Sequence, residues 1–295
     1  MTFIMDTIKG IFIGIANVIP GVSGGTMAVS LGIYDKLIAA VSNLIKDWKK
    51  SLLTLLPIIV GCGIGILGFT YAIGYLLDQH TYLTCMTFVG LILGGIPILV
   101  KSLKKKLYET SSRIGFGSTA AFILLFAVAI LLPLLNPDGE GLKTLTASPG
   151  TMVVLFFVGL IASATMVVPG VSGSLVLMIL GYYYGILDSI KQFIEALKVM
   201  DMPSLVNGAL ILVPFGIGIL FGIFLIAKLI TFLFNEYGVQ TYCAILGLIA
   251  ASPFAIFYNT GLYLKLSSLS ILTVIGGLIL AVAGAVITYW LGEKH

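Results

Sequence analysis

The pentapeptide Pro-Gly-Val-Ser-Gly occurs twice in this chain, at Pro20–Gly24 and at Pro169–Gly173, each time inside a long apolar stretch. The surroundings read Asn17-Val-Ile-Pro-Gly-Val-Ser-Gly-Gly-Thr26 and Met166-Val-Val-Pro-Gly-Val-Ser-Gly-Ser174. Proline removes a backbone donor and clashes with the preceding turn, so each copy predicts a helix break. The chemistry that such a break offers is anion binding. Ser23 stands where it would cap a helix starting at Gly24, leaving the amides of Gly24, Gly25 and Thr26 aimed at a ligand next to Gly21. Ser172 would do the same for Gly173, Ser174 and Leu175, next to Gly170. Asn17, Ser23 and Thr26 add side-chain donors in one copy, and Thr165, Ser172 and Ser174 in the other. The alternative is a packing device in which glycines let helices cross and serines satisfy their own helix ends. An intact pentapeptide among neighbours that differ favours the ligand site.

Two helix ends cannot hold a phosphate dianion alone. A helix terminus stabilises a nearby charge by about 0.3–1 kcal/mol, up to about 2 when partly buried, whereas an isolated buried ion costs far more. A lysine, a proton or a water-filled groove must share the task. The candidates are Lys9, Lys36 and Lys228. Lys36 adjoins Asp35, and the two are expected to pair with each other at the interface, or with the ligand. Lys228 interrupts the otherwise uncharged Phe215–Phe234. It reads as a side chain snorkelling to the aqueous face, with an intramembrane charge as the alternative.

Catalysis finds little support. The two histidines, His80 and His295, sit by no nucleophile, no His/Cys/acid group has metal-ligand spacing, and no glycine-lysine phosphate loop occurs. The expectation is a protein that is not an enzyme, with no catalytic residue, metal or cofactor. Cys62, Cys85 and Cys243 are odd in number, lie in apolar runs and form no Cys-x-x-Cys pair, so they read as small buried residues.

The elements that position the motifs belong to a membrane. Of 295 residues, 59% are hydrophobic and 9% charged, against about 25% charged in a soluble domain. The expected class is an all-α polytopic membrane protein. The net charge of +4 is spread over short loops and forms no basic surface fit for nucleic acid. The N-terminus, with Asp6 ahead of its apolar run and no small-residue cleavage site, reads as mature sequence. Unpaired backbone groups are tolerated at membrane depth only when buried in protein or lining a cavity. The short arms around Pro20, the second running from about Ser23 to Ile45, therefore predict a re-entrant hairpin with the motif at its tip.

Three clearer spans follow, at Leu52–Leu77, Tyr82–Val100 and Ile114–Leu135. Loop Lys101–Arg113 carries four lysines and the only arginine against one acid, Glu109, and is expected in the cytoplasm. Lys46–Lys50 then falls inside, Asp78–Thr81 and Asn136–Pro149 outside, and the C-terminus inside.

The second half repeats this order. Pro169 matches Pro20 at an offset of 169 − 20 = 149, which also pairs Leu31-Gly32 with Leu180-Gly181 and Tyr34 with Tyr183. Gly63-Ile-Gly-Ile-Leu67 recurs as Gly216-Ile-Gly-Ile-Leu220, and Gly90-Leu-Ile as Gly247-Leu-Ile. This indicates one membrane domain built from two repeats, residues 1–140 and 141–295. Each repeat holds a hairpin plus an odd number of crossings, so the two are expected to be inverted, with the substrate between the tips. Glycines four residues apart (Gly10/Gly14, Gly61/Gly65, Gly90/Gly94, Gly218/Gly222) predict close helix crossings.

Two stretches carry a resemblance. They are Gly10, Gly14 and Ala16-Asn-Val-Ile-Pro-Gly-Val-Ser-Gly-Gly-Thr-Met-Ala28 with Leu31-Gly-Ile-Tyr-Asp-Lys-Leu-Ile38, and Pro169-Gly-Val-Ser-Gly-Ser174 with Leu180-Gly-Tyr182. Over essentially its whole length the chain resembles the PopT family of bacterial polyprenyl-phosphate transporters. Family members often carry an acid at the position of Asn17, so a proton-carrying role there is not implied for this chain. The resemblance implies a flippase of the bacterial cytoplasmic membrane that returns undecaprenyl phosphate from the outer to the inner leaflet for envelope polymer synthesis, with proton coupling as an option. The partners it implies are the lipid and the membrane, with a homodimer as an option that the residues leave open. A small-anion channel or carrier using the same helix tips is the alternative, and a lipid-phosphate hydrolase ranks last.

Overall fold

The computed structural model describes residues 2–18, 22–134, 145–170, 173–264, 266 and 269–293, and among these it contains helices and no strand. Helices α1 (Thr2–Val18), α2 (Gly24–Ser30) and α3 (Tyr34–Ser42) precede α4 (Trp48–Gln79), α5 (Thr81–Leu93), α6 (Ile96–Glu109) and α7 (Phe116–Leu134). The second series comprises α8 (Pro149–Val167), α9 (Gly173–Ile179), α10 (Tyr183–Val199), α11 (Met202–Glu236), α12 (Gly238–Asn259) and α13 (Ile271–Glu293), with a short helical turn at Leu262–Leu264.

Six of the described helical segments are long and apolar enough to cross a bilayer: Trp48–Phe69, Thr81–Glu109, Phe116–Leu134, Met202–Glu236, Gly238–Asn259 and Ile271–Glu293. Large apolar side chains such as Leu124, Leu272, Ile279 and Val282 stand exposed on them. In water that surface would be a liability, whereas hydrocarbon is its natural solvent. The chain is a multi-pass membrane protein.

Two expectations need correction. The arm from Ser23 to Ile45 is not one helix: it breaks at Leu31–Ile33 into α2 and α3, with Gly32 at φ +70°. Only glycine adopts that conformation freely, and Gly181, its counterpart in the repeat, has φ +78° between α9 and α10. The basic stretch 101–113 is not all loop either. Pro97 opens α6 at its first turn, and the following run of Leu, Lys and Glu, good helix formers, continues the helix to Glu109. The lysines thus line a helix end, and the loop shrinks to residues 110–115.

The repeat extends to helix boundaries. At the same offset of 149, the end of α1 maps onto that of α8 (167 − 18), and the start of α3 onto that of α10 (183 − 34). Helix α9 begins and ends where α2 does (173 − 24 and 179 − 30).

Two compact units can be described. The first holds residues 1–133, 168–171 and 227–295. In it α1 crosses α4 so closely that a Cβ on Gly10, Gly14, Gly61 or Gly65 would fall on a backbone carbonyl oxygen of the other helix. Gly90 and Gly94 of α5 meet Ala281 and Ala285 of α13 in the same way. Leu103, Val239 and Cys243 form a core between α6 and α12. The second unit holds residues 134–167 and 172–226. Its core is Leu155, Val158, Ile186, Ile211 and Phe215, and Gly218 and Gly222 of α11 meet Phe156 and Leu160 of α8. All four glycine pairs are close crossings, as their spacing predicts.

Candidate functional site

The first motif is built on α1. Helix α2 starts at Gly24 and Ser23 holds the N-cap position in an extended conformation, yet the Ser23 side chain makes no capping bond. The cap comes from Asn17 instead. Its Oδ1 accepts the Gly24 N–H at 3.2 Å, while its Nδ2 donates to the Ile13 carbonyl at 3.0 Å. Gly24 is required for this approach, since a Cβ there would overlap the Asn17 amide. Two expectations thereby change. Asn17 uses its amide on the protein, and the Gly24 amide, expected to face a ligand, is engaged. The amides of Gly25 and Thr26 are the remaining first-turn donors, which an α-helix leaves without intrahelical partners.

Helix α1 also holds the far end of α2. Lys9 is wholly buried, and its Nζ donates to the carbonyl of Leu31, the C-terminal cap residue of α2, at 2.9 Å. A cation at a helix C-terminus complements the partial negative charge there. Asn17 and Lys9 are eight residues apart (17 − 9), about 12 Å along α1 at 1.5 Å per residue. They clasp opposite ends of a seven-residue helix, so α2 runs back antiparallel along α1.

The other charges do not pair as expected. Lys36 donates to Asp6 Oδ2 at 2.6 Å rather than to its neighbour Asp35. Asp35 accepts a hydrogen bond from the Tyr242 hydroxyl at 3.0 Å. The reason is geometric: neighbouring side chains on a helix point in different directions, whereas Asp6 and Lys9 share one face of α1 at i, i+3 and meet what packs on it. Neither Asp6 nor Tyr242 was a sequence candidate. The spacing of Asp6 from Lys9 was a usable signal; nothing in the chain advertised Tyr242, 207 residues from Asp35. Lys228 lies on an exposed face of α11, eight residues before its end (236 − 228).

The two motif copies touch. The Gly170 N–H donates to Thr26 Oγ1 at 2.6 Å, and both residues belong to the first unit. Thr26 is 1% exposed and Pro169 is buried. Gly170 has φ +80°, and a Cβ on it would press on Leu248 of α12. Pro169 and Gly170 lie in the first unit, and the Gly170 amide ends on the threonine two residues beyond the first copy. Gly173 is buried at the start of α9, where Ser174 also lies. Thr165, on α8, donates to the Ala162 carbonyl at 2.8 Å. Gly21 and Ser172 lie outside the described residues, as does the side chain of Ser174.

Comparison with known proteins bears on this arrangement. The family model described as VCA0040-like, undecaprenyl phosphate translocase-like, matches residues 13–271. A Staphylococcus aureus protein named polyprenyl-phosphate transporter is 31% identical over 257 residues, covering 86% of each chain. A Vibrio cholerae protein of the same name is 30% identical over 208 residues, 65% of this chain and 62% of its own length. No solved structure matches the chain. The matched region takes in both motif copies and α2 to α12, with residues 13–18 of α1 and the first residue of α13, so this chain belongs to the undecaprenyl phosphate translocase-like family.

Proposed function

We propose that this protein moves a polyprenyl phosphate, of which undecaprenyl phosphate is the expected form, across the bacterial cytoplasmic membrane. The observation that carries the site is the junction of the two motifs. Thr26 joins Gly170 at the first turn of α2, whose Gly25 and Thr26 amides have no partner within the helix. In this reading the phosphate is held by the Gly25 and Thr26 amides with the Ser23 hydroxyl, and Ser172, Gly173 and Ser174 are the phosphate-binding residues of the second copy. The prenyl tail stays in lipid while the head crosses. Lys9 is committed to the C-terminal end of α2, so the charge deficit at the tips is met by water or by a proton, one of which suffices to lower a phosphomonoester dianion to a monoanion.

The architecture we infer is two inverted repeats, residues 1–140 and 141–295, each a re-entrant hairpin (α1–α2–α3 and α8–α9–α10) followed by three crossings. The shared helix boundaries support the repeat, and the odd number of crossings supports the inversion. The lysine-rich end of α6 and the C-terminus face the cytoplasm, and transport runs from the outer to the inner leaflet.

The test is translocation of undecaprenyl phosphate by the purified protein in liposomes. Gly24→Leu, and Ser23→Ala combined with Ser172→Ala, should each lower the rate by about tenfold or more, a loss of about 1.4 kcal/mol of transition-state stabilisation, at unchanged expression. Undiminished translocation in both variants would remove the motifs from the site. Flux of inorganic anions that ignores added lipid phosphate would replace the lipid reading by an anion channel.

A further inference from the structure

Within the first unit, two cavities meet beside the lysine-rich end of α6. The larger, about 430 Å³, is lined by Lys105, Lys106, Ser102, Thr231, Asn235 and Tyr242 among others, a volume in the range of small-ligand pockets. The smaller, about 50 Å³, reaches inward to Val29 and Gly32, at the C-terminal end of α2. They share Asp35, Ser102, Phe234 and Tyr242. The Tyr242–Asp35 hydrogen bond and the edge contact of Phe234 with Tyr242, 5.1 Å between ring centres, therefore form a neck between them.

The charges at the larger cavity are unequal in availability. Glu109 is 3.8 Å from Lys105, one turn away on the same helix, and Asp35 is held by Tyr242. Lys106 makes no ion pair among the described residues. Its stem lies over Gly238, the first residue of the 22-residue α12, where a Cβ would collide with Lys106 Cε. The stem is thereby packed on the start of α12, and Lys106 stands in the cavity wall as a cation. Ser102, Thr231 and Asn235 add neutral hydrogen-bonding groups to the same lining.

We propose that this cavity is a second binding site, separate from the Pro-Gly-Val-Ser-Gly motifs, for a phosphomonoester group, with Lys106 as its counter-charge. It is a station through which the group passes between the aqueous face and the motif helix. The proposal rests on the transport reading for the direction of passage, and on the cavity itself for location and charge. A prenyl phosphate head and free phosphate share the same chemistry.

A reporter cysteine at Asn235, or at Thr231 should the first variant express poorly, reads occupancy in the full chain in detergent. Its modification by a water-soluble maleimide is followed against the background of the native cysteines. Farnesyl phosphate should slow modification by about tenfold, Lys106→Gln should abolish that protection, and Lys104→Gln, outside the lining, should keep it. Protection by farnesyl phosphate alone assigns the site to the lipid head; equal protection by inorganic phosphate assigns it to free phosphate as well. Either supports the proposal. No protection, equal protection by farnesol, or protection that survives Lys106→Gln overturns it. Translocation by the unmodified protein separates the two readings: transport without protection sinks only this cavity, and protection without transport sinks the transport reading.

Discussion

Thr26 ties Gly170 of the second motif copy to the helix that follows the first copy. Its hydroxyl oxygen is the acceptor for the Gly170 amide in a part-buried bond, and a hydrogen bond of this kind contributes about 1 kcal/mol. Thr26→Val keeps the shape and removes the acceptor, so it should lower the melting temperature by several degrees in detergent and depress translocation, while Thr26→Ser stays close to the parent. A valine variant as stable and as active as the parent would show that the junction contributes nothing. Asn17 and Lys9 teach a related lesson at this scale. Both were legible as polar residues in an apolar helix and hence as candidates, but their targets were not. A side-chain amide and an ammonium satisfy whichever backbone group a neighbouring helix presents, and that depends on where the chain breaks. The end of α1 at Val18, the start of α2 at Gly24 and the break at Gly32 turn α2 back along α1 and bring its two ends to those side chains.

At the scale of the element, the glycines separate into two kinds that the sequence makes look alike. Gly63-Ile-Gly65 and Gly216-Ile-Gly218 are the same repeated pattern. A Cβ on Gly63 or Gly216 meets nothing within 4 Å, whereas one on Gly65 would fall on the Ile11 carbonyl and one on Gly218 on the Phe156 carbonyl. Gly65→Ala and Gly218→Ala should force α1 from α4 and α8 from α11, with loss of folded protein on size-exclusion chromatography. Gly63→Ala and Gly216→Ala should be neutral or stabilising, by up to about 1 kcal/mol from helix propensity. Equal behaviour of the four variants would contradict the close crossings. Spacing announced that a crossing exists; which member of each pattern faces it follows from the helix's rotation, which packing sets. The same holds for α6, where helix-forming residues carried the helix past the apolar span and converted an expected loop into a cationic helix end.

For the whole molecule the testable quantity is orientation. Single cysteines at Ser112, in the turn after α6, and at Ser148, just before α8, are separated by one crossing, α7. In oriented cells Ser112→Cys should react with an impermeant maleimide only after the membrane is opened, and Ser148→Cys should react at once. Labelling of both from the same side would break the crossing count on which the inverted arrangement depends.

By itself, the sequence determined that this is a membrane protein, how many long spans to expect, and which short motif occurs twice, 149 residues apart. Those features follow from local quantities, namely hydrophobic length and the conformational limits of proline and glycine, which act without knowledge of distant residues. Only the tertiary structure decided that Asn17 rather than Ser23 caps α2, that Lys9 closes its other end, that Lys36 turns to Asp6, and that Thr26 receives Gly170. Polar side chains in an apolar protein must each find a partner, and the sequence names the candidates without the distances. Folding the chain back on itself chooses among them.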